Sequence, residues 1–271
     1  MGELLGVQDV SVRFGGVVAL NGLTFTVDEG QMCALIGPNG AGKTTLFNVI
    51  SRLYEPTEGK VTFAGQDLLA VPPHRIAKIG IARTFQNVAL FPGLSVRDNI
   101  LMGAFSDTRS GFLTTTVRWP TAIREERSSR AQADALLEEL HLSHVADRPA
   151  VGLPYGTLKR VELARALASN PTMLMLDEPA TGLTHGEVGE LGALIRQVRD
   201  ERNLTVLLVE HHMAMVMSIS EKIVVLDYGA KIAEGAPAQV QADARVVEAY
   251  LGTDHAGVEP VLPTQVQHAG A

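Results

Sequence analysis

Short apolar runs broken by turn residues open the chain. Val7–Phe14, Leu23–Val27, Met32–Ile36 and Lys60–Ala64 predict strands, separated by Gly15-Gly16, Asp28-Glu29-Gly30 and Thr57-Glu58-Gly59. Met32–Ile36 is almost continuously apolar, as a strand covered on both faces must be. A helix is predicted from Lys43 to about Leu53. After a further strand at Ile81–Phe85, the strand signal fades between about Val88 and Leu167. In that stretch Ala133, Leu136, Leu137 and Leu140 recur at helical spacing beside Glu138 and Glu139. Strand–helix alternation then returns: Met173–Leu176, a helix over Glu187–Arg202, Thr205–Val209, Ile223–Leu226 and Ala230–Ala233. The pattern predicts an α/β fold with a mostly parallel core, an N-terminal antiparallel β cluster and an inserted helical subdomain over about 88–167. Residues 253–271, rich in Pro, Gly, Ala and Gln without periodicity, read as a flexible tail beyond a 1–252 domain.

Composition narrows the partners. The 271 residues are 46% hydrophobic, enough for a sizeable core, and 23 Lys and Arg face 30 Asp and Glu for a net charge of −7. A general nucleic-acid binder shows a basic field, so that partner is not expected. No uncharged apolar run approaches a bilayer-spanning length, and the N-terminus carries no signal-peptide pattern or myristoylation motif, Gly6 standing where Ser or Thr is needed. The chain is expected to be soluble by itself and to meet membranes only through a partner. Cys33, the one cysteine, sits in the apolar run and reads as a small buried residue.

The chemistry begins at Gly37-Pro38-Asn39-Gly40-Ala41-Gly42-Lys43-Thr44, which fits G-x-x-x-x-G-K-[ST] between an apolar strand and a helix. Such a P-loop turns successive N–H groups toward phosphate oxygens at the positive end of a helix. Lys43 can reach the β- and γ-phosphates, and the Thr44 hydroxyl can ligate Mg²⁺. Met173–Leu176 ends in Asp177-Glu178, which puts two carboxylates at the carboxyl edge of a sheet, beside a nucleotide on the neighbouring strand's loop. Asp177 is the natural Mg²⁺ partner, and Glu178 can orient or deprotonate an attacking water. Alone, such a pair often only caps the next helix; a P-loop in the same chain changes the reading. Gln86 and His211 also follow strands and can reach water, metal or γ-phosphate. His211-His212 lacks a Cys or third His at a zinc-like spacing, so metal ligation by the pair is not expected.

P-loop, Gln86, a Gly-containing helix start at Leu153–Arg160, Asp177-Glu178 and His211 stand in the order seen in ABC-transporter ATPases, which this chain resembles over about residues 4–252. It looks most like the ATPases of branched-chain amino-acid importers. The cues are Arg13-Phe14-Gly15-Gly16, Tyr155-Gly156, Glu210-His211 with Met213, and Val246 to Gly252. The resemblance implies a P-loop NTPase core with ATP and Mg²⁺ as cofactors. In it Phe14 stacks on adenine, the alternative being a core Phe in its strand. Gly37, Asn39, Gly40, Ala41, Gly42, Lys43, Thr44 and Thr45 cradle phosphate, while Thr44, Gln86 and Asp177 meet the metal. Glu178 acts as base, with His211 and Gln86 completing the catalytic set. It also implies a second ATPase subunit packed head to tail, so that each nucleotide faces the partner's signature, here Leu153, Pro154, Tyr155 and Gly156. Permease subunits and, through them, a substrate-binding protein complete the expected assembly, at the cytoplasmic face of the plasma membrane.

Three departures from the family pattern stand out. The signature reads Leu153-Pro154-Tyr155-Gly156-Thr157, without its usual Ser and Gln. His212 stands where Asp is common, and Thr181-Gly182-Leu183-Thr184 ends without its usual Asp. The stretch Phe105–Arg130 mixes Phe112, Leu113 and Trp119 with several Arg, which suits either a membrane-side surface or packing on its own helical lobe. Rival readings are an ABC ATPase of a lipid-type exporter, a non-transport ABC ATPase, or a nucleotide-binding regulator. Non-transport members usually carry long coiled coils or two fused ATPase units, and neither is here.

Overall fold

The structure is a computed structural model that describes residues 2–85, 88–104 and 120–251; of 120–125 and 251 only the backbone is described. Gln86 and the stretch 105–119 lie outside it, as does the predicted tail.

Two sheets organise the chain. β1 (Glu3–Phe14), β2 (Val17–Asp28), β4 (Glu58–Phe63) and β5 (Gln66–Asp67) form an antiparallel sheet in the order β2-β1-β4-β5. The other follows the order β10-β9-β3-β8-β7-β6, built from β3 (Met32–Ile36), β6 (Ile81–Arg83), β7 (Met173–Asp177), β8 (Thr205–Val209), β9 (Lys222–Asp227) and β10 (Ala230–Gly235). Its pairings are parallel except for the β9–β10 hairpin. Every residue of β3, β7 and β8 is buried, as the unbroken apolar runs predict. Cys33 is fully buried in β3, and burial pushes its thiol up to about 12.

The helices are α1 (Lys43–Ile50), α2 (Val96–Ala104), α3 (Pro120–Glu139), α4 (Tyr155–Leu167), α5 (His185–Arg202), α6 (Met213–Ile219), α7 (Pro237–Gln241) and α8 (Ala244–Leu251). Between β6 and β7 the described residues form helices and turns with no strand beyond an isolated bridge. There the predicted stripe Ala133, Leu136, Leu137 and Leu140 joins Val96 and Ile100 of α2 and Leu163 of α4 in one core.

Several limits differ from the sequence pattern for local reasons. α1 stops at Ile50 rather than Leu53, because Arg52 is left-handed and the Leu53 and Tyr54 amides both turn back to the Asn48 carbonyl. β2 begins at Val17, six residues before its apolar run, since the register with β1 carries the hairpin to Phe14–Val17. α3 begins at Pro120, well before the apolar stripe, so the apolar periodicity marks only its second half.

Candidate functional site

The parallel strands end at one edge of their sheet, and the P-loop, Asp177-Glu178 and His211 follow those ends. β3 runs into the P-loop, β7 ends at Asp177, β8 leads to Glu210 and His211, and β6 ends at Arg83. One expectation is corrected here. β7 does not neighbour the P-loop strand: β8 pairs with both β3 and β7 and stands between them. His211 therefore follows the adjacent strand, and Asp177 lies one strand further out.

The P-loop is shaped by close backbone packing. Gly37 has φ +151°, and a Cβ there would sit 2.1 Å from the Leu226 carbonyl oxygen. At Gly42, φ is +101° and a Cβ would meet the Ala19 carbonyl oxygen at 2.5 Å. Both turns demand glycine, and the second presses the P-loop against the strand that follows Phe14. The Leu46 N–H donates to the Gly42 carbonyl at 3.0 Å, leaving the amides of Lys43, Thr44 and Thr45 without an acceptor inside the helix. These amides and the helix dipole suit an anion. The Lys43 ammonium donates to the carbonyls of Gly37 at 2.7 Å and Pro38 at 2.9 Å. Burial lowers its pKa below the ordinary lysine value, while Glu178 and Asp177 act in the opposite direction.

Asp177 is buried, and one of its oxygens, Oδ2, accepts from Arg83 at 2.7 Å. The other is free of that ion pair. The Arg83 guanidinium also donates to Asn48 Oδ1 at 2.8 Å and Ser51 Oγ at 3.1 Å, and it lies 5.4 Å from the ring centres of both Phe47 and Phe85. Glu178 sits in the left-handed region at φ +48°, its N–H bonded to the Val209 carbonyl at 2.8 Å. Glu178 Oε2 accepts from the Thr181 hydroxyl at 3.2 Å and lies 3.9 Å from His211 Nδ1. His211 is half exposed and stands beside His212, ring centres 4.8 Å apart. Glu210 joins the two histidines: ligand atoms of all three lie within 4.8 Å of one another. The sequence offered no third ligand of the Cys or His kind. Glu210 instead spends its oxygens on backbone amides, which argues against a structural metal there.

Phe14 is exposed at the end of β1, edge-on to Tyr54 with ring centres 5.2 Å apart, so the core-packing alternative fails. The segment 153–156 opens α4: Leu153 is buried, Pro154 occupies the N-cap with φ −53°, and Tyr155 begins the helix. Pro at the cap supplies neither hydroxyl nor N–H. The Tyr155 ring lies against Gly182, whose Cβ would meet it at 2.9 Å.

Sequence reasoning missed Arg83 and Glu162, and it used Glu210 only as a family cue without giving it a role. The buried Glu162 of α4 accepts from the Phe85 N–H at 3.2 Å, beside Gln86, and Arg165 donates to the Ala89 carbonyl at 2.5 Å. Burial raises the Glu162 pKa, and Lys159 is the first of the groups that oppose it. A charged residue at the end of a buried strand, or on the inner face of a helix, is the signal that was available. Between α4, α2 and β6 opens a cleft of about 540 Å³, lined in part by Arg83, Phe85, Phe91, Met102, Glu162 and Arg165.

A phosphate-binding P-loop set against a carboxylate pair on a parallel sheet defines the class, a nucleotide-binding α/β ATPase. Comparison with known proteins narrows it. Residues 20–181 match the ABC transporter family, and residues 230–256 match the family described as branched-chain amino acid ATP-binding cassette transporter. A high-affinity branched-chain amino acid transport ATP-binding protein, BraF of Pseudomonas aeruginosa, is 44% identical over 92% of this chain and 98% of its own. Among solved structures, the ADP conformation of an ATP-binding cassette from an ABC transporter superposes with TM-score 0.82 at 33% identity, covering 93% of this chain and all of that one. A dimeric cassette in a post-hydrolysis state, bound to ADP and Pi, gives 0.72 at 26% identity over 86% of this chain and 99% of its own. The chain belongs to the ABC transporter family as an ATP-binding, ATP-hydrolysing cassette. No described helix is long and apolar enough to cross a membrane.

Proposed function

We propose that this chain powers an importer of branched-chain or related amino acids, hydrolysing Mg-ATP held between its own P-loop and the signature of a second ATPase subunit. The observation that carries this reading is the match of residues 230–256 to the branched-chain transporter family, joined to 44% identity with BraF across nearly the whole chain.

The residues take the following roles. The amides of 37–45 and Lys43 bind the phosphates, and exposed Phe14 offers a stacking face for adenine. Thr44 and Asp177 supply the hard oxygen ligands that Mg²⁺ prefers, with Gln86 as a third contact; the Asp177 oxygen free of Arg83 suits that use. Bound Mg²⁺ offsets phosphate charge. Glu178 holds or deprotonates the attacking water, and His211, 3.9 Å from it, contacts the γ-phosphate side. Leu153, Pro154, Tyr155 and Gly156 face the partner's nucleotide. Residues 1–252 form one ATPase unit, with the helices between β6 and β7 as its permease-facing lobe.

Permease subunits dock in the cleft lined by Phe85, Phe91 and Met102, all substantially exposed. Phe85 adjoins Gln86 and stacks on Arg83, which holds Asp177, so a docked helix lies two side chains from a metal ligand. The subunit sits at the cytoplasmic face of the plasma membrane through these contacts, with a substrate-binding protein acting on the far side. Vesicles carrying the chain with its permeases, second ATPase and binding protein, and loaded with ATP, should accumulate labelled leucine, isoleucine or valine. ATP hydrolysis with uptake of none of them would overturn the cargo assignment.

A further inference from the structure

Glu210 is almost wholly buried, yet among the described residues its carboxylate pairs with no Lys or Arg. Its oxygens serve two different loops. Oε1 accepts from the Ala180 N–H at 3.0 Å, while Oε2 accepts from the His211 N–H at 2.8 Å and, more weakly, the His212 N–H at 3.4 Å. Burying a carboxylate costs too much to be incidental, and these N–H groups with the neighbouring imidazoles are what balance it. The Ala180 side continues outward. The Leu183 N–H donates to the Ala180 carbonyl, the Thr181 hydroxyl reaches Glu178, and Gly182 carries the Tyr155 ring. One carboxylate thus lies between His211 and the loop on which the segment 153–156 rests.

We infer that Glu210 is a positioning residue that fastens the His211 loop and the 178–184 loop into one body. Glu178 and His211 keep their mutual geometry through it. Any displacement of His211 by a nucleotide is passed to Ala180, Gly182 and Tyr155. Resting on the function proposed above, this makes Glu210 the link between the subunit's own nucleotide and the signature it presents to its partner's.

The test is Glu210→Gln in the full chain, with hydrogen exchange at single-amide resolution, fluorescent ATP titration and steady-state turnover. The amide keeps the shape but carries no charge, so the charge-assisted bonds to both loops weaken, and its NH₂ must face backbone donors on one side. Losing a charge-assisted bond of this kind should speed exchange by about 10–100-fold. The inference requires that the amides of Ala180 and His211 both speed up, although they lie on different loops. It also requires ATP affinity within about twofold of wild type and kcat falling by about 10–100-fold with KM little changed. Faster exchange at 211–212 with Ala180 unaltered would overturn it, as would a parallel loss of ATP affinity. Should the variant fail to fold, wild type decides: adding ATP with Mg²⁺ must protect Ala180 together with His211, and protection of His211 alone refutes the link. Failure of wild type to bind ATP would instead sink the functional reading, leaving the exchange result in Glu210→Gln to judge the brace itself.

Discussion

Replacing Arg83 with Met should be among the most damaging single changes outside the P-loop. The guanidinium and the Asp177 carboxylate it holds are 10% and 6% exposed, so water cannot take over when one partner goes. An exposed ion pair is worth about 0–1 kcal/mol, but breaking a buried one costs about 3–5 kcal/mol, because an uncompensated charge stays behind. Met keeps much of the apolar contact with Phe47 and Phe85, so the loss isolates the charge and the bonds to Asn48 and Ser51. At roughly 2–4 °C per kcal/mol for a domain of this size, the melting midpoint should fall by about 6–20 °C. Adding Asp177→Asn should recover part of it, since the orphaned charge is then removed. Urea and thermal unfolding of the two single variants and the double one measure this directly. A cost below about 1 kcal/mol for Arg83→Met would refute the reasoning, as would a double variant no more stable than Arg83→Met.

Lys43→Ala should weaken ATP by about 2–5 kcal/mol, the cost of truncating one partner of a buried charge contact, and fluorescent nucleotide titration reads it. Because burial lowers the Lys43 pKa in the free protein and bound phosphate favours the charged amine, affinity should be highest where the amine is protonated. It should fall as pH rises through a midpoint below the ordinary lysine value of 10.5, and Lys43→Arg should abolish that dependence. Phe14→Ala should cost about 1–3 kcal/mol of ATP affinity with only a small loss of stability, since the half-exposed ring packs on Tyr54 alone among aromatic rings of the described residues. In a complex with a partner of ordinary signature, the proposed arrangement sets Pro154, which donates nothing, against the partner's nucleotide. Losing one preorganised donor slows chemistry by about 10²–10³-fold, so inactivating the base on this chain should remove far more phosphate release than inactivating the partner's. Equal losses would show the altered signature to be functionally ordinary.

What was legible in the sequence was local. The P-loop is one contiguous string between a strand and a helix, and Asp177-Glu178 declares itself by ending an apolar run. Met32–Ile36 and Thr205–Val209 have the limits their buried runs predict. Strand order was not legible, because parallel buried strands look alike whatever their neighbours, and so β8 was not foreseen between β3 and β7. Arg83 and Glu162 escaped, and Glu210 went without a role, for a related reason. Their partners lie 94, 77 and 30 residues away, at Asp177, Phe85 and Ala180, and no spacing rule connects them. Phe14 was ambiguous because strand periodicity does not say which end of a hairpin leaves the core.

The central claim is that Glu178 performs the chemistry on a nucleotide held by Lys43 and the P-loop. Glu178→Gln, in the complex purified with its permeases and second ATPase, tests it most directly through paired measurements of ATP affinity and phosphate release. The amide keeps the shape and the Thr181 bond but is no base. ATP should bind with wild-type affinity while phosphate release at this site falls by at least about 10²-fold. Near-normal release from the variant would contradict the account.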